Sequence, residues 1–194
     1  MSQRINKFVY FKLHKPYGYL CQFSGESTDK LLGELYNFPK DVYSIGRLDK
    51  DSEGLLLLTN DNRFKTVLLS PDSKKWKTYW VQVEGEITVN AIKKLEAGRI
   101  TISHKGRIHT VSPASCKEIE FPKIEERTPP IRVRKSIPTS WIELKISEGK
   151  NRQVRKMTAA VGFPTLRLIR YAVDTYTLDR LKIGEVEEFQ PINL

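Results

Sequence analysis

The chain has 194 residues, of which 39% are hydrophobic and 29% are charged, and its formal net charge is +10. This composition excludes a wholly disordered chain, and no apolar stretch approaches the ~20 residues of a membrane-spanning helix. Residues 127–170 hold eleven Lys or Arg against only two acids, Glu143 and Glu148, so this basic region predicts a polyanionic partner, with nucleic acid as the leading candidate.

The N-terminal half is predicted to mix short strands with helices. Alternating or continuous apolar runs predict strands over residues 8–13, 42–47 and 55–59. Apolar residues on one helical face predict helices over residues 28–37 and 63–69. Strands and helices in this irregular order favour an α+β class over a strict βαβ repeat.

The rest of the chain is also predicted to mix strands with helices. Residues 77–84 alternate as a strand, and a helix is predicted to begin after Thr88 and to end at Gly98. The proline-rich residues 121–138 predict an ordered loop or linker. A strand follows over residues 141–147, and Asn151 is predicted to cap a helix that runs to residue 161.

The segment of residues 46–60 reads GRLDKDSEGLLLLTN and carries a distinctive charge pattern. Arg47, Asp49, Asp51 and Glu53 occupy every second position and lead into four leucines, which predict a strand buried on both faces. Charges at the mouth of such a strand are compatible with an active site, a metal loop or an ordinary turn.

The metal interpretations fail on spacing. Asn60 stands at the twelfth position of the calcium-like pattern, where an EF-hand needs a bidentate Glu, and the three histidines have no ligand spacing with either cysteine. No G-x-G or P-loop motif is present, so we expect no metal and no nucleotide cofactor. Cys21 and Cys116 are far apart, which predicts two reduced thiols in a cytoplasmic protein.

An aspartate in this segment has the chemistry of a nucleophile. It is ionised at neutral pH without an activating base, and a neighbouring arginine would aim it and keep it charged. From the residues alone, a purely structural role for Asp49 also stays open, in which it pairs with Arg47 or caps a turn.

Four motifs in order resemble the RsuA family of pseudouridine synthases, which modifies ribosomal RNA. They are LHKPYG, GRLD-x-x-[ST]-x-GLLLLTND, KTYWVQV, and EGKNRQVRKM leading into LRLIRYA. With PPIRVRKSIPTSW included, the chain most resembles the RluE-type branch, which acts on the large ribosomal subunit. The resemblance implies a mixed, mostly antiparallel sheet in two halves, with flanking helices and a central RNA-binding cleft.

The family pattern also implies roles for individual residues. Asp49 would be the nucleophile, Tyr79 would stack on the uracil, and Arg155 would pair with Asp49. Arg47 would enter the RNA stack as the target base leaves, and Leu168 would pack against the base or against Tyr79. Asp51 and Glu53 are predicted to be bystanders or loop-ordering groups. The predicted RNA contacts are Arg132, Arg134, Lys135, Lys150 and Arg152.

The resemblance implies that the chain isomerises a uridine to pseudouridine without a cofactor. The RluE-type motifs indicate 23S ribosomal RNA as the substrate. Attack on the uracil ring and attack on the ribose both stay open. The alternatives are a synthase for small-subunit or transfer RNA, a non-catalytic ribosome-assembly protein on the same fold, and a carboxylate-dependent hydrolase. We expect a monomer with one catalytic domain over residues 1–194 in two subdomains, and no N-terminal S4 domain.

Overall fold

The computed structural model describes residues 7–104, 106–131, 134 and 136–192. Within them, eleven β-strands and three α-helices alternate irregularly along the chain. The strands are β1 (Tyr10–Lys15), β2 (Tyr43–Ile45), β3 (Glu53–Thr59), β4 (Lys77–Glu84), β5 (Thr101–His104), β6 (Arg107–Thr110), β7 (Ser115–Ile119), β8 (Thr139–Ile146), β9 (Thr165–Val173), β10 (Tyr176–Thr177) and β11 (Val186–Glu188). The helices are α1 (Asn62–Leu69), α2 (Val89–Ala97) and α3 (Gln153–Ala160).

One sheet of nine strands organises the molecule. Its central path runs β11-β1-β3-β9-β4-β8-β7, with β2 paired to β3 and β10 paired to β9, while β5 and β6 form a separate hairpin. The pairings in the large sheet are antiparallel except for β3 with β9. The predicted α+β class with a mostly antiparallel sheet is therefore confirmed. None of the described helices has the length and apolar character needed to cross a membrane.

The parallel contact between β3 and β9 depends on a glycine. Gly54 pairs with Arg170 and has a φ of +113°. A Cβ atom at this position would lie 2.4 Å from the backbone oxygen of Arg170 and 2.5 Å from its nitrogen, so no other residue permits this approach without a shift of the backbone. The close approach places the loop before β3 directly beside β9.

The four leucines of β3 are buried on both sides of the sheet, as predicted. Leu55 and Leu57 belong to one apolar cluster, whereas Leu56 and Leu58 belong to another on the opposite face. Each is at most 1% exposed. A third cluster lies where α2 and α3 cover β4 and β8, so β3 is anchored firmly enough to present a fixed loop at its entrance.

Two sequence predictions are wrong. Residues 28–37 do not form a helix, because only the 3₁₀ turn Leu32–Glu34 is helical there; Gly33 interrupts the pattern, and glycine costs about 1 kcal/mol in a helix. Asn151 is not the N-cap of α3, since Arg152 takes that place in the left-handed conformation with a φ of 52°. The turn before α3 is held instead by the Gln153 side chain, which accepts a hydrogen bond from the Lys150 backbone at 2.9 Å.

Candidate active site

A cleft of about 730 Å³ opens between the loop before β3, the strands β4 and β9, and the turn that leads into α3. Its charged lining is unbalanced, because the described residues that line it include six basic side chains and one acidic side chain, Asp49. The basic residues are Arg47, Lys50, Lys77, Lys150, Arg152 and Arg170. Walls of one sign focus the electrostatic potential in a cleft, so this lining favours a polyanion.

The loop between β2 and β3 presents Asp49 to the cleft. Leu48 is buried, and its backbone nitrogen donates a hydrogen bond to Cys21 Sγ at 3.2 Å, while this thiol donates back to the Leu48 carbonyl at 3.3 Å. The Asp49 carbonyl accepts from Ser52 N at 3.0 Å, which closes a turn. With Leu48 fixed inward, the Asp49 side chain faces the cleft and remains 38% exposed.

The floor beside Asp49 is built by two neighbouring strands. Tyr79 of β4 and Leu168 of β9 both line the cleft, and they are 8% and 5% exposed. Val81 lies directly opposite Leu168 in the sheet, so Tyr79 and Leu168 are diagonal neighbours on one face. Both residues are therefore part of the core and part of the cleft, and the aromatic ring offers the flat apolar surface that a nucleobase requires.

Arg170 is a functional candidate that the sequence reasoning missed. Its Nε donates to the Leu55 carbonyl at 2.9 Å and its Nη1 to the Arg47 carbonyl at 3.5 Å, while Nη2 has no partner in the described structure. The guanidinium thus fastens β9 to both ends of the loop that carries Asp49. An arginine within the apolar run of β9 was the available signal, because such residues are rarely buried without a partner.

Two lysines near the loop were also missed. Lys77 lines the cleft half-buried, and its burial together with the charge of Arg170 lowers its pKa. Lys15 is fully buried and donates to the carbonyls of Pro16 at 2.8 Å and Tyr19 at 2.7 Å. Burial lowers the pKa of Lys15 to about 8. Both lysines add positive potential around Asp49.

The predicted pairing of Arg155 with Asp49 is not what the structure shows. Arg155 donates from Nη2 to the backbone carbonyl of Asp51 at 2.7 Å, and the same nitrogen lies 3.4 Å from the Asp51 carboxylate. Arg152 forms a two-pronged pair with that carboxylate at 2.9 and 2.8 Å. Its Nη1 lies 3.9 Å from Asp49 Oδ2. The prediction failed because Arg155 contacts Asp51 rather than Asp49.

These contacts shift the acid–base properties of the cluster. Partial burial raises the pKa of Asp51, but the hydrogen bonds from Arg152 and the charge of Arg155 outweigh it and leave the pKa below its ordinary value. The same hydrogen bonds raise the pKa of Arg152. Burial lowers the pKa of Arg155, and the charge of Asp51 partly restores it. All three groups are charged at neutral pH.

Comparison with known proteins places this site in a family. A model of the RNA pseudouridylate synthase family matches residues 9–160. The chain belongs to the RNA pseudouridylate synthase family. It is 47% identical over 91% of its length to "Ribosomal large subunit pseudouridine synthase E" of Vibrio parahaemolyticus, covering 72% of that protein. The protein of the same name from Xanthomonas campestris is 47% identical over 89% of this chain and 91% of the relative.

A solved structure agrees with the family assignment. It is described as a crystal structure of pseudouridylate synthase, is 26% identical, and superposes with a TM-score of 0.76 over 96% of this chain and 72% of that chain. This chain is therefore a pseudouridine synthase in both sequence and fold. The predicted mixed sheet with flanking helices is confirmed by the same likeness.

The predicted RNA contacts of this synthase fall into three groups. Lys150 and Arg152 line the cleft, where they pair with Glu148 and Asp51 respectively. Arg134 is half exposed and pairs with Glu84 at 3.1 Å, outside the cleft lining. The predicted contacts Arg132 and Lys135 lie outside the described residues. Arg47, the predicted base-displacing arm, is exposed at the cleft.

Proposed function

We propose that this synthase converts a uridine of large-subunit ribosomal RNA to pseudouridine, with Asp49 as the nucleophile. The observation that carries the proposal is the basic cleft in which one carboxylate, Asp49, stands beside a buried tyrosine and a buried leucine. The substrate follows from the relatives, four of which are 46–48% identical and bear the name "Ribosomal large subunit pseudouridine synthase E".

The reaction is an isomerisation, so no other reactant is consumed. The bond between N1 of uracil and C1′ of ribose breaks, the base turns, and C5 bonds to C1′. The proton that C5 loses is balanced by the proton that N1 gains. Asp49 would form a transient bond to the ribose or to the uracil ring, and this bond would break again by the time C5 is joined to C1′; an ionised carboxylate can attack without a general base.

The remaining site residues would prepare the base for this attack. A uridine inside a duplex must first leave its stack, which costs a few kcal/mol. Arg47, exposed at the rim, would fill the space that the base vacates, while Tyr79 and Leu168 would hold the uracil against the cleft floor. Tyr79 would also assist removal of the C5 proton. The charge of Arg155 would act on Asp49 from the far side of Asp51.

Binding energy would come from phosphate contacts. Lys150 and Arg152 are the cleft candidates, and Arg134 is a candidate on the outer surface. All three pair with carboxylates in the free protein, so RNA phosphates would share these cations with the acids rather than meet bare cations. Each phosphate contact releases counterions from the RNA, so affinity should fall steeply as the salt concentration rises.

We propose that the synthase acts as a monomer with a single catalytic domain. The nine-stranded sheet continues through both halves, so we propose that the two predicted subdomains share it and meet near β9. A ribosomal RNA substrate and bacterial relatives support a cytoplasmic location.

Release of tritium from ribosomal RNA labelled at uracil C5 tests the proposal, because C5 loses its hydrogen when the new bond forms. Wild-type protein should release the label, and Asp49→Asn should slow release by at least about 10⁴-fold. Asp72→Asn, an exposed acid outside the cleft lining, should behave as wild type. Continued turnover by Asp49→Asn would overturn the assignment of the nucleophile. RNA binding without release by wild type would instead support an assembly protein.

A further inference from the structure

Asp51 lies in the loop that carries the proposed nucleophile, and it contacts two arginines. These are Arg152, the N-cap of α3, and Arg155 within α3. We propose that Asp51 is a positioning residue that holds Arg152 and Arg155 beside Asp49 while leaving the Asp49 carboxylate accessible. The inference rests on the proposed function, since it assigns a role within the same site. It also revises the sequence-based view of Asp51 as a bystander.

The first support is the geometry of Arg152. Two of its nitrogens donate to the two oxygens of Asp51, at 2.9 and 2.8 Å. A planar guanidinium held at both prongs has a fixed orientation, which a single contact does not impose. In that orientation its Nη1 stands 3.9 Å from Asp49 Oδ2. Arg152 is thus close enough to stabilise the charge of Asp49 without being bonded tightly to it.

The second support is the way Arg155 is held. Its Nη2 donates to the Asp51 backbone carbonyl at 2.7 Å and lies 3.4 Å from the Asp51 carboxylate. Its Nη1 donates to the Thr165 carbonyl at 3.5 Å, and its side chain is only 14% exposed. One residue of the loop therefore anchors both arginines, by its main chain and its side chain together.

The third support is the backbone of Arg152. Its φ of 52° lies in the left-handed region, which non-glycine residues adopt rarely and mostly where surrounding contacts enforce it. The nearby contacts that enforce this turn are known: Gln153 accepts from the Lys150 backbone, and Glu148 accepts from Lys150 Nζ and from Gln153 Nε2. The turn thus directs Arg152 across the cleft to Asp51.

The different roles proposed for Asp49 and Asp51 have a chemical reason. A carboxylate held by two short hydrogen bonds from one guanidinium is stabilised as an anion, and its lone pairs are occupied, so it is a poor nucleophile. Asp51 accepts this role at 2.9 and 2.8 Å, whereas the Asp49 carboxylate lies 3.9 Å from Arg152 Nη1, beyond hydrogen-bonding distance. Asp49 thereby receives the positive potential of the arginines and keeps its oxygens available.

Steady-state kinetics of Asp51→Asn test the proposal on a substrate that wild type turns over. The arginines lose a charged acceptor, so kcat should fall about 10- to 100-fold, the range expected when catalytic groups are misplaced by an ångström. Affinity for RNA, measured in the Asp49→Asn background, should stay within about threefold or increase, because Arg152 becomes free for phosphate. Asp51→Glu should recover part of kcat. Asp29→Asn, which breaks the neighbouring pair with Lys50, is the matched control.

A double variant and a measurement without substrate complete the test. Because Asp51 acts through Arg152, the loss in Asp51→Asn combined with Arg152→Gln should be smaller than the product of the separate losses. Nitrogen NMR of the free protein should show restricted rotation of the Arg152 guanidinium in wild type and free rotation in Asp51→Asn. Wild-type kcat in Asp51→Asn, independent losses, or an unchanged guanidinium signal would each overturn the proposal. The NMR result stands even if no ribosomal RNA fragment proves to be a substrate.

Discussion

The carboxylates of Asp51 and Glu53 lie two residues apart, yet their surroundings are opposite. Glu53 pairs with Arg167 at 2.7 and 2.9 Å, and the two side chains are 1% and 4% exposed. Asp51 pairs with Arg152 at similar distances, but these side chains are 34% and 42% exposed. The geometry of the two pairs is alike, so hydration is what distinguishes them.

That difference separates a structural pair from an adjustable one. A buried pair cannot be opened without leaving a charge in a medium of low dielectric constant. An exposed pair is already hydrated, so its guanidinium can also donate to water or to an RNA phosphate at little cost in free energy. Within one short loop, the synthase therefore has a rigid anchor at Glu53 and a pair facing the RNA at Asp51.

The largest expected effect comes from breaking the buried pair. Glu53→Gln leaves the Arg167 guanidinium without a charged partner, and we expect the free energy of unfolding to fall by about 3–5 kcal/mol. Urea denaturation followed by circular dichroism measures the change. A loss below about 1 kcal/mol would show that Arg167 finds another partner or water.

A double substitution sharpens the same comparison. Replacing both partners, with Glu53→Met and Arg167→Met, removes both charges at once and should recover most of the stability lost in Glu53→Gln. If the double variant is as unstable as the single variant, packing rather than the unpaired charge is responsible.

The sequence predicted the regular elements well where local signals are strong. The alternation in β4 and the Thr88 cap and Gly98 end of α2 gave correct bounds, because period, capping and glycine chemistry are local. The failed helix at residues 28–37 shows the limit, since few apolar positions there support a helix around Gly33.

The site could be predicted only in part. The motifs named Asp49, Tyr79 and Leu168, which the structure brings into one cleft. The partners of Asp51 and Glu53 lie more than 100 positions away, at Arg152 and Arg167. The alternation of apolar and polar residues along a strand cannot identify such distant partners. They meet only because β3 pairs in parallel with β9 and because the turn before α3 brings Arg152 to the loop.

The next effect concerns the buried charge of Lys15. Within the described part of the chain, no carboxylate is hydrogen-bonded to it. Burial lowers its pKa from 10.5 to about 8 in the folded protein. Between these values the unfolded chain binds more protons than the folded one, so stability rises with pH. Wild type should therefore gain up to about 3 kcal/mol relative to Lys15→Met between pH 8 and pH 10.5. Denaturation of both proteins across this range measures it, and a constant difference would show that Lys15 stays charged when folded.

The smallest effect on stability is expected at the cleft pair. Asp51→Asn should lower the free energy of unfolding by less than about 1 kcal/mol, because exposed ion pairs contribute little and Arg152 can be hydrated. The loss should shrink further as salt screens the charges. Chemical denaturation at two ionic strengths tests both points. A loss as large as that of Glu53→Gln would mean that Asp51 holds the loop together, and any accompanying fall in kcat would then be a consequence of unfolding. A small loss together with a large fall in kcat would separate the two neighbouring carboxylates into one that maintains the fold and one that orients the arginines for the reaction.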